Sequence, residues 1–192
     1  MNHHTLMTGS AVLNKITQKV VRSMSGLGEL PTTTERPTAT TRRIETDVLV
    51  VGGGPAGLAA ARECSAAGLQ VLLVDEGLAI GGSLRWDPRF GPERAAALCD
   101  EAVAAGVRVL SEHTALSHVE DEGGITVVAS ASELLRVHAT ATIHATGSYA
   151  QNLPFIDNDR PGVLALRAAG SLLLEHGILV ADHICLVGDS EP

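Results

Sequence analysis

The stretch Asp47-Val48-Leu49-Val50-Val51-Gly52-Gly53-Gly54-Pro55-Ala56-Gly57 decides how this chain folds. It opens with an aliphatic, mostly β-branched run of the kind buried on both faces of a parallel sheet. The run stops at a G-x-G-x-x-G pattern formed by Gly52, Gly54 and Gly57. Such a pattern is weak alone, so its surroundings decide: a strand before it, a helix opening on it, and an acid about 20 residues later. All three are present. The helix is predicted from Pro55 to about Ala67, with Pro55 near the start, where a missing N–H costs nothing, and Gly68 as its left-handed stop. A second strand, Gln70 to Val74, then delivers Asp75.

This arrangement is built to hold a dinucleotide. Gly52 allows the tight turn, Gly54 lets a pyrophosphate approach the backbone, and Gly57 lets helix and strand pack closely. Pro55 and Ala56 open the helix, whose positive end favours the anion. Asp75 at the end of the second strand can accept both hydroxyls of an adenine ribose, and its charge would repel a 2′-phosphate, so an unphosphorylated ADP moiety is favoured over NADP. Glu76 follows directly and is the alternative; alternation along the strand lets only one of the two face the cleft, and register selects Asp75. Gly81-Gly82-Ser83 forms a second flexible loop close enough in sequence to lie over the same cofactor.

Outward from this unit, a Pro92-initiated helix ends at Gly106, and Val107 to Leu110 reads as a strand. Thr114 to Glu120 and Ile125 to Ala129 flank a Gly123-Gly124 turn, and Thr140 to Ala145 runs into Ala145-Thr146-Gly147. The fold class is therefore α/β, a Rossmann-like three-layer dinucleotide-binding domain. Its parallel sheet carries the first βαβ unit, and a small antiparallel layer is expected from about Val107 to Ile143.

With these motifs in place, the chain resembles the two-dinucleotide-binding flavoproteins of the glutathione-reductase-like fold. Within them it is similar to the α-subunits of heterotetrameric sarcosine oxidase and to the opine oxidase and hydrogen cyanide synthase subunits. The finer likeness is carried by Gly81-Gly82-Ser83-Leu84, Leu153-Pro154-Phe155, Asn158-Asp159-Arg160-Pro161-Gly162-Val163 and the lead-in Ser25-Gly26-Leu27-Gly28-Glu29-Leu30-Pro31. It implies one component of an amine- or amino-acid-oxidising hetero-oligomer, with a partner subunit handling the small substrate. It also implies that Ala145, Thr146 and Gly147 close on the flavin side of the cofactor. Most of the superfamily carries FAD at the glycine loop, whereas sarcosine oxidase α-subunits are associated with NAD; the loop binds the ADP portion common to both. In the resembling α-subunits a second dinucleotide domain follows. Residues 164–192, ending in a strand that has just reached a new glycine turn, read as the start of one, and the chain is expected to be a fragment or one piece of a split enzyme.

Composition narrows the classes further. The 192 residues carry 14 Lys plus Arg against 22 Asp plus Glu, a net charge of −8, and only 2% aromatics. An electrostatic grip on nucleic acid or an anionic membrane, or base stacking on aromatic platforms, is disfavoured. No apolar stretch reaches the length of a spanning helix, and no secretion signal opens the chain, so a cytoplasmic protein is expected. Residues 1–43 differ in kind, with six bases against two acids, while residues 44–192 hold eight against twenty. There Val12, Leu13, Ile16, Val20, Val21 and Met24 recur at helical spacing. Gly26 and Gly28 stop the pattern, and a Thr/Pro/Arg-rich stretch runs from Pro31 to Arg43. This is an amphipathic helix on a tether, for docking on a partner or on the protein's own body, or else a mitochondrial address. The domains are thus residues 1–43, 44–163 and 164–192.

Catalytic groups are not visible. The three cysteines, Cys64, Cys99 and Cys185, form no C-x-x-C pair, and the stretch after the Gly-Gly loop, Gly82 to Pro88, offers no dithiol. Cys64 and Cys99 read as small core residues on the two helices. His113, His118, His138 and His144 show no metal-ligand spacing, and no G-x-S-x-G elbow is present, so metal binding and serine hydrolysis are disfavoured. Arg85 or Arg89, near the Gly-Gly loop, is a candidate to steady a cofactor phosphate.

Overall fold

A computed structural model of the chain describes residues 39–120, 124–151 and 153–188, together with Thr17, Val20 and Val21. Two compact units are present, residues 1–37 and 38–192. In the first, Thr17, Val20 and Val21 are helical, with both valines exposed. The remainder of the expected amphipathic helix and the tether up to Thr38 lie outside the described residues.

The second unit is built on one six-stranded sheet: β1 (Thr40–Val51), β2 (Val71–Val74), β3 (Arg108–Leu110), β4 (Thr114–Val119), β5 (Ile125–Ala129) and β6 (Glu133–His144). The spatial order is β3-β2-β1-β6-β5-β4. Strands β3, β2, β1 and β6 run parallel, and β6, β5 and β4 form an antiparallel meander. Two helices join the parallel strands: α1 (Pro55–Ala66) links β1 to β2, and α2 (Gly91–Ala104) links β2 to β3. A 3-10 turn, Gly82–Trp86, precedes α2, and α3 (Leu166–His176) follows the sheet.

Alternation along the strands sorts the core into two layers. Val48, Val50, Val71 and Leu73 face the helices, where they pack with Leu58, Ala61 and Ala102; Cys64 and Cys99 sit partly buried against the same cluster, as small core residues should. Burial pushes the Cys99 thiol up, with Asp100 adding to the effect, so it stays protonated and inert. Leu49, Val51, Leu72 and Val74 face the other way and pack against Val128 of β5 and Leu135 and Val137 of β6. The meander thus covers the second face of the parallel sheet, completing the helix, sheet and meander layers of the α/β fold.

Three boundaries differ from those read in the sequence. The tether does not extend to Arg43: β1 begins at Thr40 because β6 offers it partners from Glu133 to Ala139. Correspondingly, β6 begins at Glu133 rather than Thr140, so its first half belongs to the meander and its second to the parallel sheet. The antiparallel layer does not start at Val107 either. Helix α2 returns the chain parallel to β2, which makes β3 the edge of the parallel sheet and leaves Thr114 as the start of the meander.

The early part of β1 is held by a charged knot. Arg42 donates to Glu133 Oε2 through Nε (2.9 Å) and Nη2 (2.6 Å), while His113 Nε2 lies 3.1 Å from Glu133 Oε1 and its Nδ1 2.6 Å from the Ser111 carbonyl. The Arg42 hydrogen bonds, and then that of His113, hold the Glu133 carboxyl below its ordinary value of 4.5. Because folding lowers this pKa, the stabilisation is fully present above about pH 4.5 and fades as pH falls through the lower folded value. Thermal melts across acidic buffers should therefore show wild type losing stability below about pH 4.5 more steeply than Glu133→Gln. Equal slopes would remove this knot from the account of acid stability.

Candidate dinucleotide site

The carboxyl ends of β1, β2 and β6 converge on the amino end of α1. Gly52 N–H donates to the Val74 carbonyl (2.8 Å) and Ala145 N–H to the Val51 carbonyl (2.8 Å), so the end of β1 is fixed from both sides. Gly52 has φ +107°, and a Cβ there would strike the backbone carbonyl of Ala145. A Cβ on Gly57 would strike the Gly52 carbonyl oxygen, so the first turn of α1 rests directly on the loop. Gly54 is the contrast: a Cβ added there meets nothing within 4 Å. With Gly54 as N-cap, no side-chain cap and Pro55 at the helix start, the first-turn N–H groups, including that of Ala56, have no protein side chain to answer them. An anion can therefore reach the backbone on the open side of Gly54, and a pyrophosphate fits the loop on this observation.

The Gly-Gly loop closes against the first one. Gly81 N–H donates to the Gly53 carbonyl (2.8 Å), and a Cβ on Gly82 would lie 2.9 Å from Gly54 Cα. Ser83 follows, half-buried, in the 3-10 turn. Of the sequence-predicted residues, Gly52, Gly54, Gly57, Asp75, Gly81, Gly82 and Ala145 come into this one cluster. Pro55 and Ala56 form its helical floor, and Thr146 and Gly147 are exposed just beyond Ala145.

Asp75 and Glu76 are placed differently from each other. Asp75 turns towards the loop: its Oδ2 accepts from Gly53 N–H (2.6 Å) and its Oδ1 from Gly77 N–H (2.8 Å). Glu76 is exposed. The register thus turns Asp75 towards the glycine loop, which it pins, and its carboxylate keeps further lone pairs beyond these two bonds.

In the structure both arginine candidates are paired with carboxylates. Arg85 Nε donates to Glu175 Oε1 (2.9 Å), and Arg89 makes two hydrogen bonds to Asp87 that raise its pKa and hold the aspartate low. Helix α3, which supplies Glu175, lies about 90 residues from the loop in sequence, so no local pattern could reveal the pairing. Ile80 carries no signal in the sequence either; it is buried, and its side chain lies 3.0 Å from where a Gly53 Cβ would sit. A surface depression lined by Glu45 to Asp47, Gln70 and His138 to Thr140 lies at the amino ends of the parallel strands. Open α/β sheets bind ligands at the carboxyl ends, so the glycine cluster is the candidate site.

Strand, glycine turn, helix and returning acid define a dinucleotide-binding α/β protein. The chain belongs to the Pyridine nucleotide-disulphide oxidoreductase family, which it matches over residues 46–188. It is 34% identical over 184 residues to the alpha subunit of sarcosine oxidase from Corynebacterium sp. (strain P-1), a match covering 84% of this chain and 19% of that one. It is 33% identical over 162 residues to an opine oxidase subunit from Agrobacterium tumefaciens (strain Ach5), covering 74% of this chain and 32% of that one. The structure of L-proline dehydrogenase from P. horikoshii superposes with a TM-score of 0.62 at 25% identity, over 73% of this chain and 30% of that enzyme. The chain thus spans about a fifth of the sarcosine oxidase relative and about a third of the opine oxidase one.

Glycine substitutions separate the fold from the site. Gly54→Ala should leave stability within about 1 kcal/mol of wild type while weakening FAD or ADP binding about tenfold or more. Gly57→Ala should lower stability by about 3 kcal/mol, because its methyl meets backbone that cannot move aside. Thermal melts beside ligand titrations test both, and unchanged affinity in Gly54→Ala would withdraw the site.

Proposed function

We propose that this chain is the dinucleotide-binding part of a multi-subunit flavin-dependent oxidase acting on a small amine or amino acid, of the sarcosine and opine oxidase kind. The observation that carries the reading is the interlock of the Gly52–Gly57 loop, the Gly81-Gly82 turn and Ala145 around an open helix end. In this reading the loop and the first turn of α1 hold the FAD pyrophosphate. Asp75 takes the ribose hydroxyls with Glu76 beside it, Gly81, Gly82 and Ser83 cover one side, and Ala145, Thr146 and Gly147 approach the flavin side. Bound FAD supplies the two-electron acceptor; the protein binds, orients and shields it. In this reading the helix and tether precede β1, the dinucleotide domain runs from Thr40 to residue 163, and residues 164–192 are the start of a second one.

Partner chains complete the site. Supporting this, several apolar side chains between residues 149 and 187 are strongly exposed, among them Tyr149 (96%), Ile156 (91%), Leu186 (70%) and Val187 (76%). The curated relatives named above are themselves called subunits. Among the described residues no helix is long and apolar enough to cross a membrane.

A second reading is a non-catalytic dinucleotide-binding or structural subunit that needs partner chains to complete a redox site; the glycine loop binds only the ADP portion common to FAD and NAD. An absorption spectrum of the purified chain between about 300 and 500 nm, with mass spectrometry of heat-released ligand, separates the two. Flavin bands with released FAD, bleached by an amine or amino acid in the presence of its partner chains, are the expected result. A colourless protein that releases NAD would favour the second reading, and one that takes up neither nucleotide would overturn both.

A further inference from the structure

We propose that helix α3 is a clamp that sets the spacing between the two walls of the dinucleotide site, with Glu175 and Arg167 as its positioning residues. The proposal rests on the site read above and assigns a role to residues outside its glycine motifs.

Helix α3 buries none of its own residues, so the sheet core does not explain why it docks where it does. Its polar side chains do. Glu175 accepts from Arg85 Nε (2.9 Å) through Oε1 and from Ser171 Oγ (2.8 Å) through Oε2, with only 16% of its side chain exposed. Arg167 donates through Nη1 to the Ser148 carbonyl (2.7 Å) and to Ser148 Oγ (3.2 Å). The same guanidinium lies 5.6 Å over the Trp86 ring.

These contacts fall on both walls at once. Arg85 and Trp86 end the 3-10 turn that Gly82 begins, and Leu84 N–H donates to the Gly81 carbonyl (3.1 Å), so a pull on Arg85 is transmitted to the Gly-Gly wall. Ser148 directly follows Ala145-Thr146-Gly147, the other wall. A charged arginine N–H on a carbonyl and a half-buried arginine–carboxylate pair are directional contacts, suited to fixing a distance. The Gly52–Gly57 loop, by contrast, is held by β1, β2 and β6 and needs nothing from α3.

The two parts of a dinucleotide should therefore respond differently. ADP shares with FAD only the portion held by the loop and the ribose acid, whereas the rest of FAD must pass between the walls. In titrations of the full chain, Glu175→Gln and Arg167→Lys should each weaken FAD about tenfold while changing ADP by less than about twofold. The swap Arg85→Glu with Glu175→Arg should recover most of the loss in FAD affinity. Melting temperatures measured on the same samples report any general loss of fold, which would weaken both ligands alike. Equal losses for FAD and ADP, no loss for either, or a wild-type chain that binds ADP but not FAD would overturn the clamp and leave the loop assignment standing. A wild-type chain that binds neither ligand would overturn the site itself and the clamp with it.

Discussion

The close approach of Gly57 to the Gly52 carbonyl is the constraint on which the rest depends. It seats α1 directly on the turn that ends β1, so the helix axis and the strand end cannot shift independently. The same Gly52 carries no side chain against the Ala145 carbonyl, which brings β6 alongside β1 at that level. One turn therefore fixes a helix, two neighbouring strands and the opening at Gly54 together. Packing of this kind tolerates little change, because backbone atoms have no alternative rotamers with which to yield.

In the proposed reading, anion binding at this turn falls to the backbone. After Lys19 the chain contains no lysine, and the arginines nearest the Gly-Gly loop are committed: Arg85 to Glu175, Arg89 to Asp87 and Arg94 to Glu101. With residues 44–192 strongly acidic, oriented N–H groups and the helix dipole are what remains to meet a pyrophosphate. That explains why the loop is built of small residues. A side-chain cation can reach a phosphate from a distance, but backbone N–H groups work only if the ligand comes close.

The βαβ unit was legible in the sequence because each of its signals is local: an aliphatic run, a glycine spacing, a proline at a helix start, an acid at a strand end. The fold class and the membership of the family followed from those few residues. What could not be read locally was where long strands begin. Strands β1 and β6 each run for 12 residues, and their early halves, Thr40 to Thr46 and Glu133 to Ala139, are polar and mixed in pattern. Each is a strand because the other is there. The same holds for β3, whose residues suit either layer and whose direction is set by the crossover through α2.

In the proposed reading, Asp75 serves fold and ligand together. A carboxylate offers about four acceptor sites, and two backbone N–H groups from Gly53 and Gly77 occupy one on each oxygen. Those bonds stiffen the turn from the side of β2 while orienting the remaining lone pairs. An asparagine would keep one acceptor oxygen but set an amide against one of the two N–H donors, so loop geometry and ribose recognition would fail together. Glu76, exposed and uncommitted, has no such anchor, and a ligand would have to order its longer side chain on binding. The pre-organised acid is the better ribose ligand for that reason, and the order Asp75-Glu76 puts it at the end of β2, where the cleft opens.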